Sequence, residues 1–384
     1  MELKIAQIFP EYIPRKLGFI EEYLFAISEE SSRRLSKSVF IFTGDPSDAV
    51  LKELEARNAR VIVARSEKPN SFESLFRIVK AIKEEGVHIA DFHFGNDASI
   101  IIMAIWLRIF GRSIKMVRHQ HNIYGEKKNF AFVQKRISRL KIVSMLVHKI
   151  VAVSYAIKND LMFRGISEEK VVVIHNGINT ARYSFSEEGR ARVRGELGIS
   201  EKEPLVISVA YACKEKGLEY LIAAIPSVIK KYPGTKFMIV GGGPLTGSLE
   251  RQAREIGAMD NVRFTGVRSD IPDILSAADM SVLTSVSEGF GAAIIESMSC
   301  KRPVVASRLD AISEIVKDGK TALLVNPKDI NGIAAAINRL LGDKNLSMSL
   351  GEEGFNVVRS EFSKEKMAKE TVDLYLGLSG DIDR

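Results

Sequence analysis

Between Thr284 and Glu296 the chain reads Thr-Ser-Val-Ser-Glu-Gly-Phe-Gly-Ala-Ala-Ile-Ile-Glu, the segment best supplied with groups that could hold a ligand. Gly289 and Gly291 let a bound molecule approach the backbone closely. The helix that opens after them offers its first-turn amides to an anion, a phosphate above all. Glu288 precedes that helix and Glu296 lies inside it, so the two carboxylates can face one ligand with a gap between them. Carboxylates repel phosphate, but they accept hydrogen bonds from hydroxyls, so the pair suits a sugar and a ribose. Read from this loop alone, a glycine turn capping a helix with a solvated Glu296 accounts for the residues equally well.

Such a loop needs a strand before it and a helix after it. Short runs rich in Val, Ile and Phe predict strands buried on both faces: Lys4–Phe9, Ser38–Thr43, Arg60–Ala64, Ile89–Phe94, Ile114–Arg118, Ile150–Val153 and Val171–Ile174. Helical patterns separate them, among them Ser71–Glu85, Asp97–Phe110 and Ser154–Arg164, the last with Ser154 placed to cap. The alternation weakens through the charged, Gly- and Asn-containing stretch Asn176–Lys202. It resumes with Leu205–Val209, Lys236–Val240, Val262–Thr265, Met280–Leu283, Pro303–Ala306 and Ala322–Val325. Strand–helix alternation implies parallel sheets with helices on both faces. The chain therefore reads as two doubly wound α/β domains facing across a cleft, with ligands at the carboxyl ends of the strands.

Length agrees, since 384 residues exceed the roughly 100–200 of one domain. Apolar residues at 46% and charged ones at 27% are the balance of a globular protein. The longest apolar run, Ile100–Leu107, has eight residues, against the roughly 20 that span a bilayer. The first residues do not read as a secretory signal, and Cys213 and Cys300 alone support neither a disulfide framework nor a zinc finger. The expected location is cytoplasmic. The surplus of +7 is concentrated in Lys127–Lys149, which holds seven basic residues and no acidic one. Apolar residues at helical spacing in that stretch (Phe130, Val133, Ile137, Leu140, Val143 and Val147) predict an amphipathic helix with a basic polar side. An ordinary core helix with a solvated basic face is one reading. Peripheral docking on an anionic membrane surface, at the inner face of the plasma membrane, is the other, each basic residue adding about 1 kcal/mol. Nucleic acid is not expected, because neither stacking aromatics nor zinc spacing accompanies the charge.

Further motifs extend the pattern. Glu288 and Glu296 sit in Ser-Glu-Gly-Phe-Gly…Glu-Ser-Met-Ser-Cys, followed by Lys301-Arg302-Pro303-Val304-Val305-Ala306-Ser307 and Glu314-Ile315-Val316-Lys317-Asp318-Gly319. Upstream lie Val153-Ser154, His175-Asn176-Gly177, Lys216-Gly217, Val240-Gly241-Gly242-Gly243-Pro244 and Val262-Arg263-Phe264-Thr265-Gly266. In order and approximate spacing this resembles the retaining family 4 glycosyltransferases (glycosyl transferases group 1), from about residue 150 to 376 and more loosely before that. The resemblance implies the GT-B fold of two Rossmann-like domains. An acceptor-binding domain would cover 1–184 and a donor-binding domain 185–362, with a last helix, about 363–384, able to pack back onto the first.

It also implies roles. Glu296 resembles the residue that accepts bonds from the ribose hydroxyls, and Glu288 the one that contacts the donor sugar. Backbone groups of Gly289, Phe290, Gly291 and Ala292 would hold sugar and diphosphate oxygens, and the turn through Val267 and Arg268 would meet the base. Lys216 resembles the lysine that neutralises the diphosphate leaving group. The family's arginine five residues earlier is Tyr211 here, with Lys214 as the possible substitute. Gly18 resembles the glycine loop that closes on the diphosphate. His121 is placed as the histidine near the anomeric centre, with His93 and His119 on the acceptor side; outside this context each histidine alone reads as a structural residue.

The implied reaction transfers a sugar from a nucleotide-diphosphate donor to a glycan or lipid-linked acceptor hydroxyl with retained configuration, in cell-envelope glycan or glycolipid synthesis. No cofactor and no metal are expected. Two other readings share the motifs: an epimerase or phosphorylase on this architecture, and a non-catalytic nucleotide-sugar binder. An NAD dehydrogenase is disfavoured, because Pro10–Gly18 lacks G-x-G-x-x-G spacing. Donor base, donor sugar, acceptor and oligomeric state stay open.

Overall fold

The computed structural model describes residues 3–10, 19–35, 37–65, 68, 71–93, 96–110, 114–121 and 130–380. Gly18, Lys127 and Lys128 lie outside them. The chain divides into two compact units, Met1–Gly177 with Lys364–Arg384, and Ile178–Ser363. The division at 177/178 lies ahead of the 184/185 boundary read from the sequence. Tyr183 explains the difference, since it is buried within the second unit, where its hydroxyl bonds to Glu296.

The first unit holds seven parallel strands: β1 Lys4–Phe9, β2 Lys37–Phe42, β3 Arg60–Val63, β4 Ile89–Phe92, β5 Lys115–Gln120, β6 Lys149–Ala152 and β7 Val171–Val173. Their order is β3-β2-β1-β4-β5-β6-β7, so the winding reverses between β1 and β4. β1 is buried from Ile5 to Phe9, as a central parallel strand covered on both faces must be. Gln7 sits in that apolar run at 0% exposure and therefore needs internal partners. Helix Phe19–Arg34 packs against the final helix, Lys364–Ser379, whose Met367, Val372 and Tyr375 join Ile5, Phe9, Leu24 and Ile27 in one core. Ser154 caps its helix, its hydroxyl accepting from the Ile157 amide at 3.1 Å.

The basic stretch forms helix Phe130–Leu146 and then β6. Leu140, Val143 and Val147 are buried and Arg139 and Lys141 exposed, but Ile142 and Met145 also face solvent, Met145 at 73%. Its outer side is thus basic and apolar together. Among the described residues no helix is long and apolar enough to cross a membrane.

The second unit has six parallel strands: β8 Leu205–Val209, β9 Lys236–Val240, β10 Val262–Gly266, β11 Met280–Leu283, β12 Val304–Ser307 and β13 Leu323–Val325. Their order is β10-β9-β8-β11-β12-β13, and the winding reverses between β8 and β11. Ligands of open parallel sheets bind beyond the carboxyl ends of the strands at such reversals. Here those positions are taken by the segments after β8 and β11, and in the first unit they lie beyond the ends of β1 and β4, where Pro10 and His93 are the described residues.

Candidate active site

In the second unit the loop after β11 and the turn after β8 are stitched together. The amides of Val286 and Ser287 donate to the Glu215 carbonyl at 2.8 and 3.3 Å, and the Thr284 hydroxyl donates to the Gly217 carbonyl at 2.8 Å. Gly217 makes this possible: its φ is +56°, and a Cβ there would stand 2.3 Å from the Thr284 carbonyl oxygen. The stitching sets Lys216 opposite Glu288, with Nζ 2.6 Å from Oε1. The Ser285 hydroxyl donates to the same oxygen at 2.8 Å. The Glu288 side chain is 8% exposed and that of Lys216 28%, so the cation forms the more open half of the pair. From sequence the two were separate contacts, Lys216 to diphosphate and Glu288 to sugar; here they bond each other.

Helix Ala292–Ser299 starts at this loop. Gly291 occupies its N-cap at φ +107° and offers no side-chain cap to the first-turn amides, of which that of Ile294 donates to the Gly291 carbonyl at 2.9 Å. Glu296, on that helix, is buried rather than solvated, against the simple glycine-turn reading. Burial pushes its carboxyl up to about 7, while the Tyr183 hydroxyl and the nearby Arg182 pull the other way. Gly289, Phe290 and Gly291 are buried and Ala292 half-buried; the Phe290 ring meets Phe362 edge-on at 5.8 Å. Val267 follows β10 with 70% of its surface open. The Arg268 guanidinium is fixed by Glu196 at 2.5 and 2.9 Å and by Asp270 at 2.9 and 2.8 Å. These partners hold the guanidinium protonated and occupied. Tyr211, where the family carries arginine, is exposed at the end of β8.

In the first unit, His93 follows β4, His119 lies inside β5 and His121 follows β5. β5 runs to Gln120, beyond the expected end at Arg118, because His119 and Gln120 pair with Val151 and Ala152 of β6. The rings of His93 and His119 stack at 4.2 Å, and that of His121 lies 5.7 and 5.9 Å from them. His93 Nε2 meets Gln7 Oε1 at 2.7 Å, and the Gln7 amide nitrogen donates to the Tyr375 hydroxyl at 2.7 Å. That hydroxyl donates to Asp91, whose Oδ2 is also 2.9 Å from His119 Nε2. Burial pushes the imidazolium forms of His93 and His121 down, His121 to about 3, so both rings are neutral.

The sequence reading missed Ser285, Tyr183, Gln7, Asp91 and Tyr375 as partners. Ser285 stood within the motif, three residues before Glu288, a spacing that lets its hydroxyl turn back to the carboxylate. Gln7 carried a signal too, a polar residue in the middle of an apolar strand. Tyr375 carried none, because its partners lie hundreds of residues away.

Two family models match the chain: Glycosyltransferase Family 4 over residues 20–182, and Glycosyl transferases group 1 over residues 189–357. An uncharacterized glycosyltransferase of Methanocaldococcus jannaschii is 31% identical over 232 residues, 59% of this chain and 59% of that protein. A GDP-mannose-dependent alpha-(1-6)-phosphatidylinositol monomannoside mannosyltransferase of Mycolicibacterium smegmatis is 32% identical over 187 residues, 46% of this chain and 49% of its own. These alignments thus span about half to three fifths of the relatives. Among solved structures, Anabaena HepE in complex with UDP-glucose superposes with a TM-score of 0.81 over 98% of this chain and all of that one, at 22% identity. The two matched models fall on the two parallel-sheet units, and the chain belongs to the family 4, group 1 glycosyltransferases with the GT-B fold.

Proposed function

We propose that the protein is a retaining glycosyltransferase of cell-envelope glycan or glycolipid synthesis, moving a sugar from a nucleotide-diphosphate sugar to an acceptor hydroxyl. The observation that carries this reading is the Lys216–Glu288 pair, held by Ser285 at the uncapped mouth of helix Ala292–Ser299. A diphosphate placed there offers Lys216 two or more anionic oxygens in exchange for one carboxylate oxygen. Lys216 then turns to the diphosphate together with the amides of Phe290, Gly291 and Ala292, and Glu288 is released to accept from donor-sugar hydroxyls. Glu296 accepts from the ribose, and the backbone at Val267 and Arg268 meets the base.

The anomeric carbon–oxygen bond to the diphosphate breaks as the acceptor oxygen bonds the same face of that carbon. The acceptor proton passes to the departing phosphate. Lys216 and the amides stabilise the charge that develops there, so the diphosphate itself requires no metal. His121 stands near the anomeric centre as a neutral ring, with His93 and His119 on the acceptor side. By their names the relatives differ in donor, GDP-mannose for the mycobacterial enzymes and UDP-glucose for the HepE complex. A thermal-shift panel of UDP, GDP, ADP and their common sugars is therefore the first experiment. One nucleotide at one hundred times its dissociation constant should stabilise by about 2.7 kcal/mol. Absence of any shift across the panel rejects the reading.

The acceptor side is proposed to work at an anionic membrane surface. Exposed Ile142 and Met145 beside Arg139 and Lys141, with exposed Ile105 and Ile109 on the adjoining helix Asp97–Phe110, support this. Vesicles rich in anionic lipid should sediment the protein at low salt and release it at high salt. Equal recovery in the supernatant with and without vesicles removes the membrane from the scheme.

A further inference from the structure

Three of the six histidines in the chain gather beyond and within the adjacent strands β4 and β5. One ring nitrogen from each of His93, His119 and His121 lies within 4.8 Å of the other two. We propose that these three side chains form a binding site for a divalent transition-metal ion of the zinc, cobalt or nickel kind. The site shares its three histidines with the proposed acceptor side, and it departs from the absence of metal that the family resemblance implied.

Donor chemistry selects the metal. Three imidazoles suit borderline dications, whereas magnesium and calcium take oxygen donors. Spacing agrees as well: His93 Nδ1 and His121 Nε2 stand 3.5 Å apart. Two nitrogens at about 2.0–2.1 Å from a tetrahedral ion stand roughly 3.4 Å apart.

The surroundings are those that metal-bound histidines use. A ligating imidazole commonly gives its second N–H to a carboxylate or carbonyl, which fixes the ring and its tautomer. Gln7 Oε1 takes that place for His93, at 2.7 Å from Nε2, while Asp91 Oδ2 stands 2.9 Å from His119 Nε2 without a hydrogen bond between them. Gln7 is itself oriented, since its amide nitrogen is committed to the Tyr375 hydroxyl. Gln7 claims the Nε2 hydrogen of His93 and so leaves that ring's lone pair on Nδ1, the nitrogen that faces His121. Asp91 adds a buried carboxylate that offsets part of the charge of a dication.

The ring planes are inclined to one another by 29°, 33° and 26°, so binding must turn at least one ring to bring the lone pairs onto one point. His121 is placed to do so, being half-buried and outside the strand ladder. Three protein ligands leave a fourth position for water or another oxygen ligand.

Titration of the untagged, chelator-treated full-length chain with Co2+ near neutral pH tests the site. One equivalent per chain should bind with the intense visible absorption of four-coordinate cobalt, and Zn2+ should abolish that colour. His93→Asn and His119→Ala should each weaken binding by more than about 100-fold. Asp91→Asn should weaken it about 10–100-fold. His175→Ala, which lies outside the cluster, should change nothing. Far-UV circular dichroism checks that the variants fold; if they do not, X-ray absorption of the zinc-loaded wild type counts the imidazoles directly, with three expected. A spectrum of six-coordinate cobalt, undiminished binding in a folded His119→Ala, loss of binding in His175→Ala, or fewer than three imidazoles overturns the assignment.

Discussion

The two units place polar chemistry at the same kind of position and treat it in opposite ways. In the second unit a lysine and a glutamate face each other beyond the strand ends, the lysine side chain partly open, and the proposed function has each exchange its partner for a ligand. In the first unit the strand ends carry neutral histidines stacked on one another, with their hydrogen bonds led inward to Gln7, Asp91 and Tyr375. A charged pair with one open side can be taken apart by an anion at modest cost. A buried neutral nest holds its shape, because every broken bond leaves an unpaired group away from water. On the proposed reading the pair in the second unit changes partners, while Gln7, Asp91 and Tyr375 hold the nest of the first unit in place.

Glu288→Ala tests that contrast most severely. Turnover should fall about 10²–10³-fold, while nucleotide affinity stays equal or rises because Lys216 loses its competing carboxylate. Steady-state kinetics and calorimetric titration read the two quantities, and a parallel loss of affinity would contradict the exchange.

The stitching of the donor loop comes next. Gly217→Ala places a Cβ 2.3 Å from the Thr284 carbonyl at φ +56°, and should destabilise the second unit by about 4 kcal/mol. Gly198→Ala, at φ +66° but with open space around it, should cost only about 1 kcal/mol. Urea unfolding of the pair separates clash from backbone strain, and equal losses would show that the close approach at Gly217 is unimportant.

Glu296 gives a pH signature. Its folded pKa of about 7 lies above the ordinary 4.5, so the folded chain binds more protons than the unfolded one between those values. Stability from this group is full below about pH 4.5 and is lost as pH rises through about 7. Glu296→Gln should therefore abolish that decline and gain about 3 kcal/mol over wild type at pH 8, measured by denaturant titration across pH. In the first unit, Tyr375→Phe removes a hydroxyl from both Asp91 and Gln7 and should cost about 2 kcal/mol, with no change in nucleotide affinity. A shift in affinity from this substitution would mean that the two regions are coupled.

The same contrast explains what could be read from sequence. The loop after β11 is contiguous, so its strand, glycine turn and helix follow from local signals, whereas a buried Glu296 does not, a solvated one fitting those signals equally well. That Lys216 bonds Glu288 was not legible, since it depends on Gly217 letting two loops 68 residues apart touch. The strands and their parallel winding followed from buried β-branched runs and helical spacing. From sequence the three histidines of the nest are separate candidates. What joins them comes from β1, β4, β5 and the final helix, and only sheet order makes those neighbours. Exposed Met145 and Ile142 likewise broke the simple amphipathic pattern, because helical spacing alone does not say how wide a face is covered.

The final helix has a consequence for how the polypeptide is made. Met367, Val372 and Tyr375 complete the core of a unit whose other residues precede Ile178, with the whole second unit inserted between. On the ribosome, the strands of the first unit emerge first yet wait for the codons of 364–379 before their interior closes. The inserted half has all its strands in hand earlier and can consolidate while its elder neighbour is still open.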